Sequence, residues 1–122
     1  MRAVLDDDQP IFQQIADMIK EDIIDGELKE DEKVPSENEL SQFYGINRAT
    51  VRNGLQLLID LDLVYKKRGI GMFVKPGARS WLINESQDRY LDDYIKPLLK
   101  EAQRIGLEVD SVIQLIKKET GK

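Results

Sequence analysis

The chain of 122 residues contains no cysteine and no histidine. The absence of cysteine excludes disulfides and thiolate metal sites, and it suits a reducing compartment, so we expect a cytoplasmic protein. The absence of histidine removes the commonest general base and the commonest transition-metal ligand. Gly-rich phosphate loops and nucleophile motifs are absent too, so we predict a protein that is not an enzyme and uses no metal or cofactor.

Long hydrophobic runs are also lacking, and none approaches the roughly 18 residues that a membrane-spanning helix needs. We therefore expect no membrane partner. Hydrophobic residues make up 41% of the chain and charged residues 34%. This balance is typical of a globular domain and argues against wholesale disorder.

Negative charge exceeds positive charge, with a net charge of −5, but the excess is uneven along the chain. Residues 1–33 contain 4 Lys/Arg and 11 Asp/Glu, residues 34–75 contain 6 and 4, and residues 76–122 contain 8 of each. Only the middle segment is basic. Because a polyanion responds to the local potential, the overall negative charge does not exclude nucleic acid as a partner.

Apolar spacing and capping residues predict two helices before residue 46. The first covers residues 10–25, where apolar side chains recur at three- and four-residue steps. The second opens at Ser36, which forms a potential capping box with Glu39, and it ends at Gly45.

A third helix is predicted from about Arg48 to Leu61, with Asn47 as its cap. Gly54 lies inside this helix, where glycine lowers helix stability by ~1 kcal/mol relative to alanine. A close crossing with another helix would explain why glycine is tolerated there. Arg48 and Arg52 lie one helical turn apart. Neither has an acidic residue four positions away on this helix, so we expect both to remain available to a polyanion.

The periodicity then changes to that of short strands. Residues 63–67 and 72–75 are strand-like, and residues 68–71 between them have hairpin chemistry. Pro76 and Gly77 mark the end of this region. We therefore divide the chain into a domain of residues 1–76 and a helical tail of residues 77–122.

The order helix, helix, glycine turn, helix, basic hairpin predicts a winged helix-turn-helix, a mainly α fold with a small β-hairpin wing. In such a fold the third helix can enter the major groove, and the wing contacts the DNA backbone or minor groove. Two glycines let the wing tip approach DNA closely. The candidate DNA contacts are Asn47, Arg48, Thr50, Arg52, Lys66, Lys67, Arg68, Gly69 and Gly71.

These residues resemble the winged-helix domain of the GntR family of bacterial transcription regulators. The family pattern L-P-S-E-R-E-L-A corresponds to Val34–Ser41, and G-V-S-R-x-T-V-R-E-A-L corresponds to Gly45–Leu55. The pair L-V corresponds to Leu63–Val64, and the wing G-x-G-T-F-V corresponds to Gly69–Val74. The resemblance covers more than half of the chain, in order and with the correct spacing.

The resemblance implies a DNA-binding role for both arginines, a phosphate or base contact for Thr50, and a wing tip at the two glycines. It also places Ser36, Glu37 and Asn38 near the DNA backbone. Asn38 replaces the usual arginine, and Met72 replaces the wing threonine. Asp62 stands where glycine usually leaves the recognition helix, and Asp tolerates the left-handed conformation that this exit requires.

The short tail resembles that of the YtrA-type subgroup, which implies a dimerisation tail and a possible transporter operon as target. Two apolar helical patterns flank Gly106, and Pro97 predicts a kink in the first. Helices with such apolar faces need another surface to pack against. We expect a second copy of the chain to supply that surface, and the alternative is that the helices pack within one chain. The candidate dimer residues are Trp81, Tyr94, Leu98, Leu99, Ile105, Val112, Ile113 and Ile116.

We therefore predict a homodimeric repressor that binds a palindromic double-stranded operator. The alternative is a winged-helix protein-interaction module that binds no DNA, which the acidic first third favours. An enzyme built on carboxylates such as Asp92 and Asp93 is disfavoured because adjacent helical residues do not converge on one point. The sequence does not define a small-molecule effector.

Overall fold

The computed structural model describes residues 4–121 of the chain. These residues form six α-helices, one π-helical segment and one two-stranded hairpin, as predicted for a mainly α winged fold. The elements are α1 (Ile11–Asp25), α2 (Glu37–Tyr44), α3 (Arg48–Asp60), β1 (Val64–Lys67), β2 (Gly71–Val74), α4 (Ala78–Tyr90), the π-helical segment (Leu91–Ile95), α5 (Lys96–Arg104) and α6 (Val109–Thr120).

The chain folds as two compact units that divide between Ile83 and Asn84, within α4. The first unit contains a continuous hydrophobic core, which includes buried residues from α1, α2, α3, the hairpin and the start of α4. In the described part of the second unit, only Ala102 and Val112 are buried hydrophobic residues. The predicted domain limit after residue 76 falls at the start of α4 and remains a prediction.

The core is centred on the contact between α1 and α3. Ile15 and Ile19 of α1 and Val51 and Leu58 of α3 are fully buried, and burying each side chain contributes about 1.5–3 kcal/mol. The two helices cross closely at Gly54, where a β-carbon would lie 2.6 Å from the carbonyl oxygen of Phe12. This confirms the predicted crossing, and it fixes the position of α3 against α1.

Local capping bonds define the helix-turn-helix. The Ser36 hydroxyl accepts from the Glu39 N–H at 3.1 Å, and the Glu39 carboxylate accepts from the Ser36 N–H at 3.2 Å, so the predicted capping box is present. Gly45 ends α2 in the left-handed conformation at φ +64°, and the Asn47 side chain accepts from the Ala49 N–H at 2.6 Å. These bonds set where α3 begins and which residues lie on its first turn.

The hairpin pairs β1 with β2 in antiparallel register, with Val64 opposite Val74 and Lys67 opposite Gly71. The segment before α2 adds to the edge of this hairpin, since the Val34 N–H donates to the Met72 carbonyl at 2.8 Å. Asp62 leaves α3 at φ +61°, which confirms the left-handed exit expected there. The wing is therefore connected to the segment before α2 by a backbone hydrogen bond and to the end of α3 through Asp62.

The tail helices follow one another with few interruptions. α4, the π-helical segment and α5 are contiguous from Ala78 to Arg104, and α6 follows after Gly106. The Lys96 N–H donates to the Leu91 carbonyl, a wider π-type turn that stands directly before Pro97. The irregularity therefore lies where proline was expected to disturb the helix, because proline has no N–H to donate.

Candidate nucleic-acid interface

The first turns of α3 present two arginines to solvent. The side chains of Arg48 and Arg52 are 60% and 64% exposed, whereas Val51 and Leu55 are buried against the core. The helix is therefore divided into a cationic outer face and an apolar inner face, as its sequence predicts.

Glu37, the first residue of α2, pairs with both arginines. Arg48 Nε lies 3.3 Å from Glu37 Oε1, Arg52 Nη2 lies 2.9 Å from the same oxygen, and Arg52 Nε lies 3.1 Å from Oε2. The expectation that nothing local neutralises these arginines was therefore wrong. It considered only neighbours on the same helix, whereas Glu37 approaches across the helix-turn-helix from 11 and 15 residues away.

The pairing shifts the pKa values of Glu37 and Arg52 without neutralising either side chain. The hydrogen bond from Arg52 is the main cause that lowers the pKa of Glu37, and the bond to Glu37 raises the pKa of Arg52. Because arginine stays charged in proteins and the pKa of Glu37 is lowered, the cluster has a net charge of +1 at neutral pH. Because the arginines are exposed, water screens these ion pairs and leaves them exchangeable for other anions.

Two of the polar residues around the arginines have structural partners of their own. The acceptor oxygens of Ser36 and Asn47 are engaged in the helix caps described above, so these side chains position α2 and α3. Asn38 is exposed, and Thr50 is half-buried beside Val51. The predicted residues outside the wing thus lie at the start of α2 and α3, where Glu37 is bonded to both arginines.

The three cations of the wing do not share one environment. Lys66 lies opposite Met72, whereas Lys67 extends over the Phe73 ring, with Nζ 4.8 Å from its centroid. Phe73 in turn stacks on Tyr65 at 5.7 Å between ring centroids. Strand alternation therefore separates Lys66 from Lys67, although the sequence presents them as one basic run.

A cleft of about 500 Å³ separates α3 from the wing, and it contains one cation that the sequence analysis missed. The Lys33 side chain extends over Gly71 near the tip of the wing, where a β-carbon would lie 2.6 Å from Lys33 Cε. Gly71 therefore makes room for Lys33, in addition to shaping the wing tip. Lys33 was overlooked because it closes the acidic segment of residues 1–33, and only the fold brings it to the cleft.

Most candidate dimer residues are exposed in the single chain. In the second unit, Tyr94 is the most exposed of the set at 64%, whereas Val112 is buried at 8% and packs within its own unit. The Trp81 side chain, in the first unit, is 44% exposed. The remaining candidates, all between 40% and 55% exposed, are Leu98, Leu99, Ile105, Ile113 and Ile116.

Among residues 4–121, no cluster of three or more His, Cys, Asp or Glu side chains is arranged to hold a metal ion. None of the helices in that range is both long enough and apolar enough to span a membrane.

The helix-turn-helix, the cationic start of α3 and the basic hairpin together define a winged helix-turn-helix protein. Residues 11–74 match the family described as bacterial regulatory proteins, gntR family. The chain belongs to this family.

Two curated relatives show how far the similarity extends. The chain is 32% identical over 100 residues to the mannosyl-D-glycerate transport/metabolism system repressor MngR of Escherichia coli, but it spans only 42% of that protein. It is 28% identical over 108 residues to the HTH-type transcriptional repressor YtrA of Bacillus subtilis and spans 82% of it. The similarity to YtrA therefore extends beyond the winged domain into the tail.

Two solved structures are similar in fold. A GntR-family regulator from Bacteroides thetaiotaomicron has a TM-score of 0.71 at 26% identity, with 91% of this chain and 96% of that chain covered. The DNA-binding domain of AraR in complex with operator ORX1 has a TM-score of 0.53 at 33% identity, with 61% of this chain and 90% of that chain covered.

Proposed function

We propose that the protein is a sequence-specific DNA-binding transcription regulator that represses by occupying an operator. The observation that carries this proposal is the exposed pair Arg48 and Arg52 at the start of α3, beside a cleft bordered by the wing. An α-helix fits the major groove, and arginines near its N-terminus can reach guanine edges or phosphates. A regulator must reach the chromosome, so we place the protein in the cytoplasm.

Binding would begin with an exchange of partners at Glu37. In the free protein this carboxylate occupies the hydrogen-bonding edge of Arg52, the edge that a guanine or a phosphate would use. DNA supplies competing acceptors, and the ion pair costs little to open because its arginine is exposed to water. Glu37 would then hold the arginine in an extended, oriented state before DNA arrives and release it on contact.

The overall negative charge makes the few cations at this face more important. The acidic first third repels a polyanion, so a duplex is attracted only where Arg48, Arg52 and the basic wing dominate the local potential. We therefore expect binding to depend strongly on salt, because each phosphate contact releases condensed counterions.

We further propose that the regulator is a homodimer joined by its tail. α5 and α6 leave large apolar side chains exposed, and a cleft of about 470 Å³ between them is lined mainly by such side chains. A second copy with the same surface would bury them under two-fold symmetry. A symmetric dimer implies a palindromic operator, with half-sites spaced by the geometry of the tail.

Selection of bound duplexes from a random pool tests the proposal. We expect the selected sequences to share a palindrome, and their affinity in gel-shift titrations to fall linearly on a log–log plot against salt. Recovery of no shared sequence and no salt-dependent binding would favour the interaction-module alternative. Location of the palindrome upstream of transport genes would support the transporter target that the YtrA resemblance implies.

A further inference from the structure

The tip of the wing carries an exposed apolar side chain, Ile70, which is 61% exposed. Met72, two residues later, packs against the hydrophobic core instead. Single exposed hydrophobic residues are ordinary on protein surfaces. Ile70 is notable because of its position, two residues after the basic run that ends at Arg68, on the element that would approach DNA.

The turn holds Ile70 in a defined place. Its N–H donates to the Lys67 carbonyl at 2.9 Å, and Gly69 has φ +78°, which fits the third residue of a type II turn. Gly69 and Gly71 flank Ile70 and have no side chains. A β-carbon on Gly69 would meet nothing within 4 Å, so the approach to this side of the tip is open.

We propose that Ile70 enters the minor groove of the operator and selects A·T over G·C base pairs there, an inference that rests on the proposed DNA-binding function. The floor of the minor groove differs between these pairs by the N2 amino group of guanine. The methyl groups of Ile70 accept no hydrogen bond. Covering a guanine amino group with them would leave its donor unsatisfied, whereas an A·T pair presents no such donor.

The neighbouring cations would bring the tip to this position without reading the amino group. Lys66 and Lys67 can contact the phosphates that border the groove, and the apolar tip then lies between the two strands, as apolar wedges of minor-groove proteins do. Arg68 is the competing explanation, because arginine favours the narrow groove of A·T tracts through electrostatic potential.

Base-analogue substitution in the selected operator separates these explanations. Each base pair flanking the half-sites is made A·T, G·C or inosine·C in turn, since inosine lacks the N2 amino group. For the wild-type dimer we expect at least one position where G·C weakens binding about tenfold relative to A·T. Inosine·C should bind within about twofold of A·T at that position.

Two wing variants then assign the effect. Ile70→Ser supplies a hydroxyl that can accept a hydrogen bond from the guanine amino group. The tenfold preference for A·T over G·C should therefore fall to less than about threefold. The melting temperature of the protein should be unchanged. Arg68→Gln should weaken binding to all duplexes and keep the preference. The inference would be overturned if Ile70→Ser kept the preference for A·T, if Arg68→Gln lost it, or if inosine·C behaved like G·C. Binding to no duplex would instead contradict the proposed function.

Discussion

Replacement of Arg52 by alanine should reduce operator affinity at least tenfold and leave folding nearly unchanged. Arg52 is 64% exposed, and it pairs with the half-buried carboxylate of Glu37. Such surface pairs contribute little to stability, and alanine is the better helix former. We therefore expect the melting temperature to change by no more than about 3 °C.

The effect on binding follows from the charge of the cluster. Removing Arg52 takes the set of Arg48, Arg52 and Glu37 from +1 to zero at each half-site. Glu37 retains its contact with Arg48 and would face the DNA without its main counter-ion. Loss of a base-reading arginine typically reduces affinity about tenfold to a hundredfold, and a dimer loses one such contact in each half-site.

Gel-shift titrations with operator and with random DNA, alongside melting curves from the same preparation, measure both effects. Arg52→Lys keeps the charge and loses the planar fork, so it should restore random-DNA binding and leave operator binding weak if Arg52 reads a base edge. Arg89→Ala is a matched control, because it removes a similarly exposed arginine that pairs with Glu85 on α4.

Unchanged operator affinity in a folded Arg52→Ala protein would show that α3 does not read DNA. The exchange of partners at Glu37 would be refuted with it, and the protein-interaction alternative would become the better account.

Three further predictions concern the core, pH and assembly. Gly54→Ala should destabilise the protein by about 1–3 kcal/mol in urea unfolding, because the new β-carbon would meet the Phe12 carbonyl at 2.6 Å; an unchanged midpoint would contradict this crossing. Operator affinity should be constant between about pH 6 and 8 at fixed ionic strength, since the chain has no histidine and the pKa of Glu37 is lowered. A glutamate with a lowered pKa stabilises the fold above its ordinary titration range, so this contribution should be lost only below about pH 4, and Glu37→Gln should flatten that loss. Removal of residues 84–122 should give a monomer in sedimentation, and a stable dimer would exclude residues 84–122 as the interface.

Much of the first unit could be predicted because its signals are local. The capping box at Ser36, the cap at Asn47 and the left-handed exit at Asp62 each depend on a few neighbouring residues, and all three occur in the structure. The crossing at Gly54 was predictable for another reason: glycine inside a helix is costly unless close packing requires it.

The ion-pair pattern of the site could not be predicted in the same way. Glu37 reaches Arg52 across 15 residues, and the Lys33 side chain lies against Gly71 of the wing. Neither contact has a fixed sequence spacing, because the turn between α2 and α3 and the register of the hairpin determine which side chains meet. The position of Lys67 over the Phe73 ring could likewise not be predicted, because the pairing of the two strands brings these side chains together.

The sequence by itself determined the order of helices and hairpin, the amphipathic division of α3 and the uneven distribution of charge, because periodicity and capping act over a few residues. Only the tertiary structure decided which charges face one another at the start of α3 and that the apolar tip of the wing remains exposed. It also decided that Val112 is buried while most of the tail's apolar residues are not. Those properties depend on contacts between separate segments of the chain: the packing of α1 against α3 and the hairpin pairing in the first unit, and the packing of α5 against α6 in the second.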